Sequence, residues 1–387
     1  MQVNEAINLL RDLLADQEAH LEPGSPEVFH TRYELAVKIA DYGQPERSLK
    51  LLEELLQDQL DSPEPDQLAT FATRNSIAIR KDHKIIGDTK GALADLEALL
   101  KDKVRVLGSD HPSTFITRNS IAIRKAKLGN PEAALADLEA LLNDKVRVLG
   151  SDHPSTLKTR NAIPIRKVTL QWFDEAAADF SSLIADKNRI LGKDHPSTLK
   201  SRFQQARCIA QAGKGGGEAE SGIHEFEQLL GDQARVLGAN HERTLETRSE
   251  LVTLYLDVGI QDKCLEALRG LIKDRIQEYG PDDQDLLALR SRLCVALDRF
   301  KVVGEDVEAL QDLLAEQLRL LGEDDQATLM SRFWLLEKKL LRGDLATAQA
   351  LKELSDVHVR QEKALGADHA ETLQTLSLIA QLRSDPK

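Results

Sequence analysis

Apolar residues recur along this chain with helical spacing, and they do so in paired segments. Between positions 131 and 149, Ala134, Leu135, Leu138, Leu141, Leu142 and Val146 form an i, i+3, i+4 stripe, with Glu132, Asp137, Glu139 and Asp144 on the other side. The preceding segment carries its apolar residues at Phe115, Ile121, Ala122 and Ala126. "LGNP" separates the two: Gly129 stops one helix and Pro131 starts the next. The predicted unit is a helix pair, A followed by B.

The pair repeats. Gly108, Gly150, Gly192, Gly238, Gly280, Gly322 and Gly366 stand 42, 42, 46, 42, 42 and 44 residues apart. Ten residues after each of the first six comes an arginine (Arg118, Arg160, Arg202, Arg248, Arg290, Arg332), and Arg74 and Arg32 continue the series toward the N-terminus. A period of this length is the signature of stacked helical units that bury their apolar faces only against neighbours. The expected organisation is a single all-α array over 1–387. It opens on a lone B-type helix at 1–21 and closes on an A-type helix at 370–383. Between them lie pairs at 25–61, 66–107, 112–149, 154–191, 196–237, 242–279, 284–321 and 326–365. Departures from the period fall in A–B turns: "IIGDTK" (85–90) and "GKGGGEAE" (213–220). Pro164 lies inside one A segment and is expected to bend or loosen it, because it removes a hydrogen bond.

Composition narrows the class. Apolar residues make up 41% and aromatics only 4%, so the core is expected to be Leu, Ile, Val and Ala. A formal charge of −13 disfavours general nucleic-acid or membrane-surface binding. Cys208, Cys264 and Cys294 are widely spaced and read as reduced thiols of a cytoplasmic protein. The N-terminal "MQVNEAINLLRDLLADQEAH" has no basic region or cleavage site of a signal peptide, and no apolar run approaches a membrane span.

"PEAALADLEALL", with Ala134, Leu138 and Leu141 at fixed offsets after Gly129, resembles the tetratricopeptide pattern. "VLGSDHPSTLKTRNAI" resembles the 42-residue repeats of kinesin light chains and of bacterial, especially actinobacterial, proteins with the same repeat type. The resemblance covers essentially the whole chain. It implies a right-handed α–α superhelical solenoid of antiparallel helix pairs whose A helices line an inner groove. It also implies that Asn75, Asn119 and Asn161 face that groove, where they would meet a ligand backbone; the bland alternative is that they face solvent. The chain departs from the family's "RNN" at Ser76, Ser120 and Ala162, and replaces the aromatic late in helix A with Lys81, Lys125 and Lys167.

Charge is unevenly distributed. Four neighbouring A segments carry Arg80, Lys81 and Lys84; Arg124, Lys125 and Lys127; Lys158, Arg166 and Lys167; and Lys200 and Arg207, with Asp82 their lone acid. The adjoining B segments are acidic. With the A helices inside, this predicts a basic groove for an acidic protein or peptide, unless the bases pair with B-helix acids instead. The candidate partner-binding residues are Asn75, Asn119, Asn161, Arg80, Arg124, Lys125, Lys127, Arg166, Lys167 and Arg207. The repeated arginine is expected to bridge to the next unit.

Reactive chemistry is not indicated. "LGSDHPST" holds Asp, His and Ser too close together for a triad. It reads as a link in which Gly150 ends helix B, Asp152 caps helix A and Pro154 enters its first turn. His111, His153, His195, His241 and His369 occupy one link position, so successive copies sit a repeat apart and cannot converge on one metal. "AGKGGGE" lacks the Ser/Thr and preceding strand of a phosphate loop. The expected function is a non-catalytic protein-interaction scaffold without cofactor or metal. The alternatives are a sensor subunit serving a separate effector chain and, disfavoured by the scarcity of aromatics, an RNA binder. Leu373, Leu376, Ile379 and Leu382 on the last helix have no following partner, which suggests homodimerisation through a terminus.

Overall fold

The structure is a computed structural model that describes residues 2–22, 24–213 and 219–384. Its eighteen helices account for nearly all of these, and no strand occurs among the described residues. The helices divide into two compact units, Met1–Ile209 and Ala210–Lys387. The first contains α1 (Gln2–His20), α2 (Pro26–Asp41), α3 (Pro45–Asp61), α4 (Gln67–Lys81), α5 (Thr89–Leu107), α6 (Pro112–Lys127), α7 (Pro131–Leu149), α8 (Pro154–Thr169), α9 (Phe173–Leu191) and most of α10 (Pro196–Ala212). The second contains α11 (Ala219–Val236), α12 (Glu242–Val258), α13 (Gln261–Tyr279), α14 (Asp285–Arg299), α15 (Glu305–Leu320), α16 (Gln326–Arg342), α17 (Thr347–Leu365) and α18 (Ala370–Ser384). Each helix from α1 to α9 packs against the next, and so does each from α11 to α18. Most of the glycine-rich turn, 214–218, lies outside the described residues.

Each core is handed on from pair to pair. One cluster joins Phe71 and Ala78 of α4, Leu96 and Leu99 of α5, and Ile121 of α6. The next joins Ala122 of α6, Leu135 and Leu138 of α7, and Ile163 of α8. In the second unit, Leu287 and Cys294 of α14 meet Leu310 and Leu313 of α15 and Leu335 of α16. A pair therefore completes its core only with the A helix that follows. Fully buried alanines, such as Ala78 against Ala92 and Ala122 against Ala134, recur in the A and B helices of these clusters.

The recurrent link now has a physical account. Gly150 holds φ at +88°, and a Cβ there would meet nothing within 4 Å, so backbone sign alone demands glycine. Pro154 occupies the first turn of α8, as expected. Asp152 does not cap the helix. His153 does: its Nδ1 accepts from the Ser155 amide at 3.1 Å, and His111 and His195 repeat the contact with Ser113 and Ser197. Asp152 instead receives Arg189 of α9 through two hydrogen bonds of 2.7 and 2.9 Å. α8 also runs unbroken through Pro164, which is buried.

The repeated arginine pairs within its own unit, not with the next. Arg118 of α6 reaches Asp144 of α7 at 2.7 Å, Arg160 reaches Asp186 at 2.5 Å, and Arg74, Arg248 and Arg332 do likewise with Asp102, Asp274 and Asp356. The tie to the following pair is a buried polar residue late in helix B. Lys103 of α5 donates to Thr117 Oγ1 and to the Ser113 carbonyl of α6 at 3.0 and 3.3 Å. Lys145 does the same with Thr159 and Ser155 of α8, and Lys187 with Ser201 and Ser197 of α10. Gln361 of α17 accepts from Thr375 of α18 at 2.7 Å.

Burial pushes the ammonium groups of Lys103 and Lys145 down to about 8, with nearby arginines adding repulsion. Because the folded value lies below that of a free lysine, the unfolded chain binds more protons between these values, and stability contributed here rises as pH increases from 8 toward 10. Glutamine already fills this position at Gln59, Gln233, Gln317 and Gln361. The double variant Lys103→Gln/Lys145→Gln is therefore expected to be at least as stable as the parent at pH 7. It is also expected to lose the parent's gain between pH 8 and 10, as followed by urea midpoints at each pH.

Candidate functional site

In the first unit, α4, α6 and α8 each leave one side uncovered. Positions three and seven apart share a helical face, and the same three positions return in each helix. They are Ala72, Asn75 and Ile79 on α4; Ile116, Asn119 and Ile123 on α6; and Lys158, Asn161 and Ile165 on α8. Ile116 is 55% exposed and Ile79 38%. α10 continues the series with exposed Lys200 and Arg207. The asparagines are half-buried in the middle of this strip. Asn75 Oδ1 is shielded from water and has no hydrogen-bond partner, Asn119 makes no side-chain hydrogen bond among the described residues, and Asn161 Oδ1 accepts from Ser201 Oγ at 3.3 Å. Ser76, which replaces the family's second asparagine, is committed to Tyr33 at 2.9 Å.

Most of the bases singled out from the sequence are held internally. Lys125 and Lys167 each meet a B-helix carboxylate of their own pair at 2.6 Å, Asp137 and Asp179, as Lys81 meets Asp95. Arg124 is buried, its Nε 3.1 Å from Asp82. Lys127 donates to the same carboxylate at 2.8 Å and Thr89 donates from the enlarged turn, also at 2.8 Å. Burial raises the Asp82 carboxyl, but these hydrogen bonds and the Arg124 charge outweigh it and hold the group below the usual carboxylate range. Arg80 and Arg166 have no carboxylate partner among the described residues, and burial lowers the Arg166 guanidinium. Arg207 is exposed.

The uncompensated charge lies elsewhere. Lys158 and Lys200 are exposed and unpaired among the described residues, and no carboxylate meets Lys145 or Lys187. The signal was available in the sequence: an Asp follows Lys125 and Lys167 by twelve residues.

Helix pairs on a 42-residue step, with one face of the A helices open, define a helical-repeat protein. A family model described as a tetratricopeptide repeat matches residues 114–155, one full step of the period. No curated protein matches it. Among solved structures it is similar to the tetratricopeptide repeat sensor-bearing signal transduction ATPase with numerous domains from Pyrococcus horikoshii. Identity there is 13% and the TM-score 0.54, over 99% of this chain and 54% of that one. That likeness is one of fold. The chain is also similar to a Podosopora anserina protein named for kinesin light chain, with nearly identical repeats: 23% identity, TM-score 0.49, over 56% of this chain and 99% of that one. BtubC (BKLC) from P. vanneervenii gives 15% identity and a TM-score of 0.49, over 61% and 90%. No described helix is long and apolar enough to cross a membrane.

Asp82 is the joint between two pairs, because it binds bases from the following A helix and the hydroxyl of the preceding turn. Asp82→Asn leaves Arg124 buried without a counter-charge and is expected to cost about 3 kcal/mol. Lys127→Met, at an exposed base, is expected to cost under about 1 kcal/mol. Chemical denaturation of the two variants against the parent checks the ordering.

Proposed function

We propose that this protein is a non-catalytic scaffold that captures an acidic, extended protein segment along the open face of α4, α6 and α8. The observation that carries the reading is the asparagine column. Asn75, Asn119 and Asn161 recur at one position on three successive A helices, and Asn75 and Asn119 keep amide capacity that nothing among the described residues uses. An amide that both donates and accepts matches a peptide unit. Ile79, Ile116 and Ile123 beside the column supply apolar contact, and Lys158 and Lys200 favour acidic side chains. Of the bases named from the sequence, Lys125, Lys127 and Lys167 serve the fold more than the ligand. A peptide array spanning acidic, neutral and basic extended sequences tests the reading. The parent is expected to select acidic members, and Asn119→Ala/Ile116→Glu to lose them by about tenfold or more. Unchanged selection by the variant, or a preference for basic peptides, contradicts it.

The chain's last described helix suggests self-association. On α18, Ile379 is buried against α16 and α17, whereas Leu373 and Leu376 are 49% and 45% exposed. We propose that a second copy covers these leucines. Light scattering is expected to show concentration-dependent dimers for the parent and monomers for Leu373→Glu/Leu376→Glu. A parent that stays monomeric at high concentration refutes the idea.

A further inference from the structure

A cavity of about 340 Å³ opens in the first unit between α8, the end of α9 and the start of α10. Lys158, Asn161, Lys187, His195 and Lys200 line it, together with one acid, Asp152. That acid is already bound by Arg189 through both oxygens. Lys187 donates only to Ser201 Oγ and the Ser197 carbonyl, and Lys158 and Lys200 meet no carboxylate among the described residues. Two exposed lysines, Lys158 and Lys200, therefore line one cavity without a carboxylate partner among the described residues, with the buried Lys187 in its wall. Lys200 lies close enough for its repulsion to add to burial in lowering Lys187, and Lys158 acts likewise on Lys145.

The repeat supplies an internal control. A cavity of the same construction lies in the second unit between α12, α13 and α14. There Glu246 stands where α8 has Lys158, Ser249 where it has Asn161, and Ala288 where α10 has Lys200. The position matching Lys187 is the half-buried Arg275, tied to Asp283 and Asp285. The fold thus accepts acidic or neutral residues at these places, so the lysines of the first cavity are not needed to build it. Like charges gathered at solvent-facing positions are costly without a partner, and an anion removes that cost.

We propose that this cavity is an anion subsite that takes the carboxylate of an Asp or Glu side chain from the captured segment. The inference rests on the scaffold reading above and locates its charge recognition. No Phe, Tyr or Trp lines the cavity, so His195 is the one ring there on which a nucleic-acid base could stack.

Fluorescein-labelled hexaglutamate, titrated by anisotropy at low salt, provides the test. Lys158→Glu/Lys200→Glu is expected to weaken binding by about tenfold or more, and Lys158→Gln/Lys200→Gln by less. Lys125→Gln/Lys167→Gln, at ion-paired lysines, is expected to stay within about twofold. Both substituted sites in the cavity variants, Lys158 and Lys200, are exposed, and thermal melts followed by circular dichroism establish that each variant is folded. Equal binding by the parent and the Lys158/Lys200 variants would overturn the subsite while leaving the scaffold reading to the peptide array. So would failure of the parent to bind hexaglutamate. A labelled oligouridine bound more tightly than hexaglutamate, and lost in the same variants, would assign the cavity to phosphates of a nucleic acid instead.

Discussion

The register of the first unit depends on a buried lysine near the end of α5, α7 and α9. An ammonium or amide at that depth must be hydrogen-bonded, because an unpartnered buried polar group is costly. The partners come from the first turns of the next A helix: a hydroxyl fourteen residues onward and a carbonyl ten residues onward, repeated at Lys103, Lys145 and Lys187. Apolar packing alone would let one pair slide on the next with little penalty, since leucine meets leucine at several registers. A single directional bond per junction removes that freedom. In the second unit Gln361 makes the equivalent bond to Thr375 without any charge, so the junction can be tied by an uncharged amide.

With the register fixed, electrostatics follows in layers. Inside a pair, Asp144 receives Arg118 from the A helix and Arg147 from its own helix, and Arg147 reaches back to Asp110 in the link. Asp186, Arg160, Arg189 and Asp152 form the same chain one repeat later. These half-exposed pairs contribute modestly one by one, but they absorb most of the charge that separates A from B segments in the sequence. An acidic protein with bases concentrated on one set of helices therefore does not automatically present a basic face. What remains outside is set by the few positions that no acid can reach.

The fold was legible because periodicity, glycine and proline are local signals. Gly150 and Pro154 act as their chemistry predicts, and helix pairs occur where the apolar stripes lie. Partner choice was less legible. The repeated arginine was expected to bridge units, yet it turns inward to an acid 26 residues on, because the A–B turn brings that part of helix B beside it. The cap was misassigned for a related reason: an N-cap acceptor needs only a short reach to the first-turn amides, which His153 Nδ1 provides, and this leaves Asp152 for Arg189. For the candidate site, a shared face for the asparagines was implied by the resemblance alone, whereas the fate of the lysines depended on the phase of a second helix.

The repeats also separate what the fold needs from what the surface offers. Positions that return unchanged, such as the link glycine, the cap histidine of five A helices and the A-helix arginine, all have partners or conformations that building the stack requires. Recognition is better sought where geometry repeats and chemistry does not. Ala72, Ile116, Lys158 and Lys200 occupy one such position on successive A helices, passing from small to apolar to cationic, with Glu246 at the same place in the second unit. A ligand lying along α4, α6 and α8 would meet an asparagine on each helix for its backbone and a changing set of side chains beside it. The constant part would set how such a segment lies, and the variable part would set which segment it is.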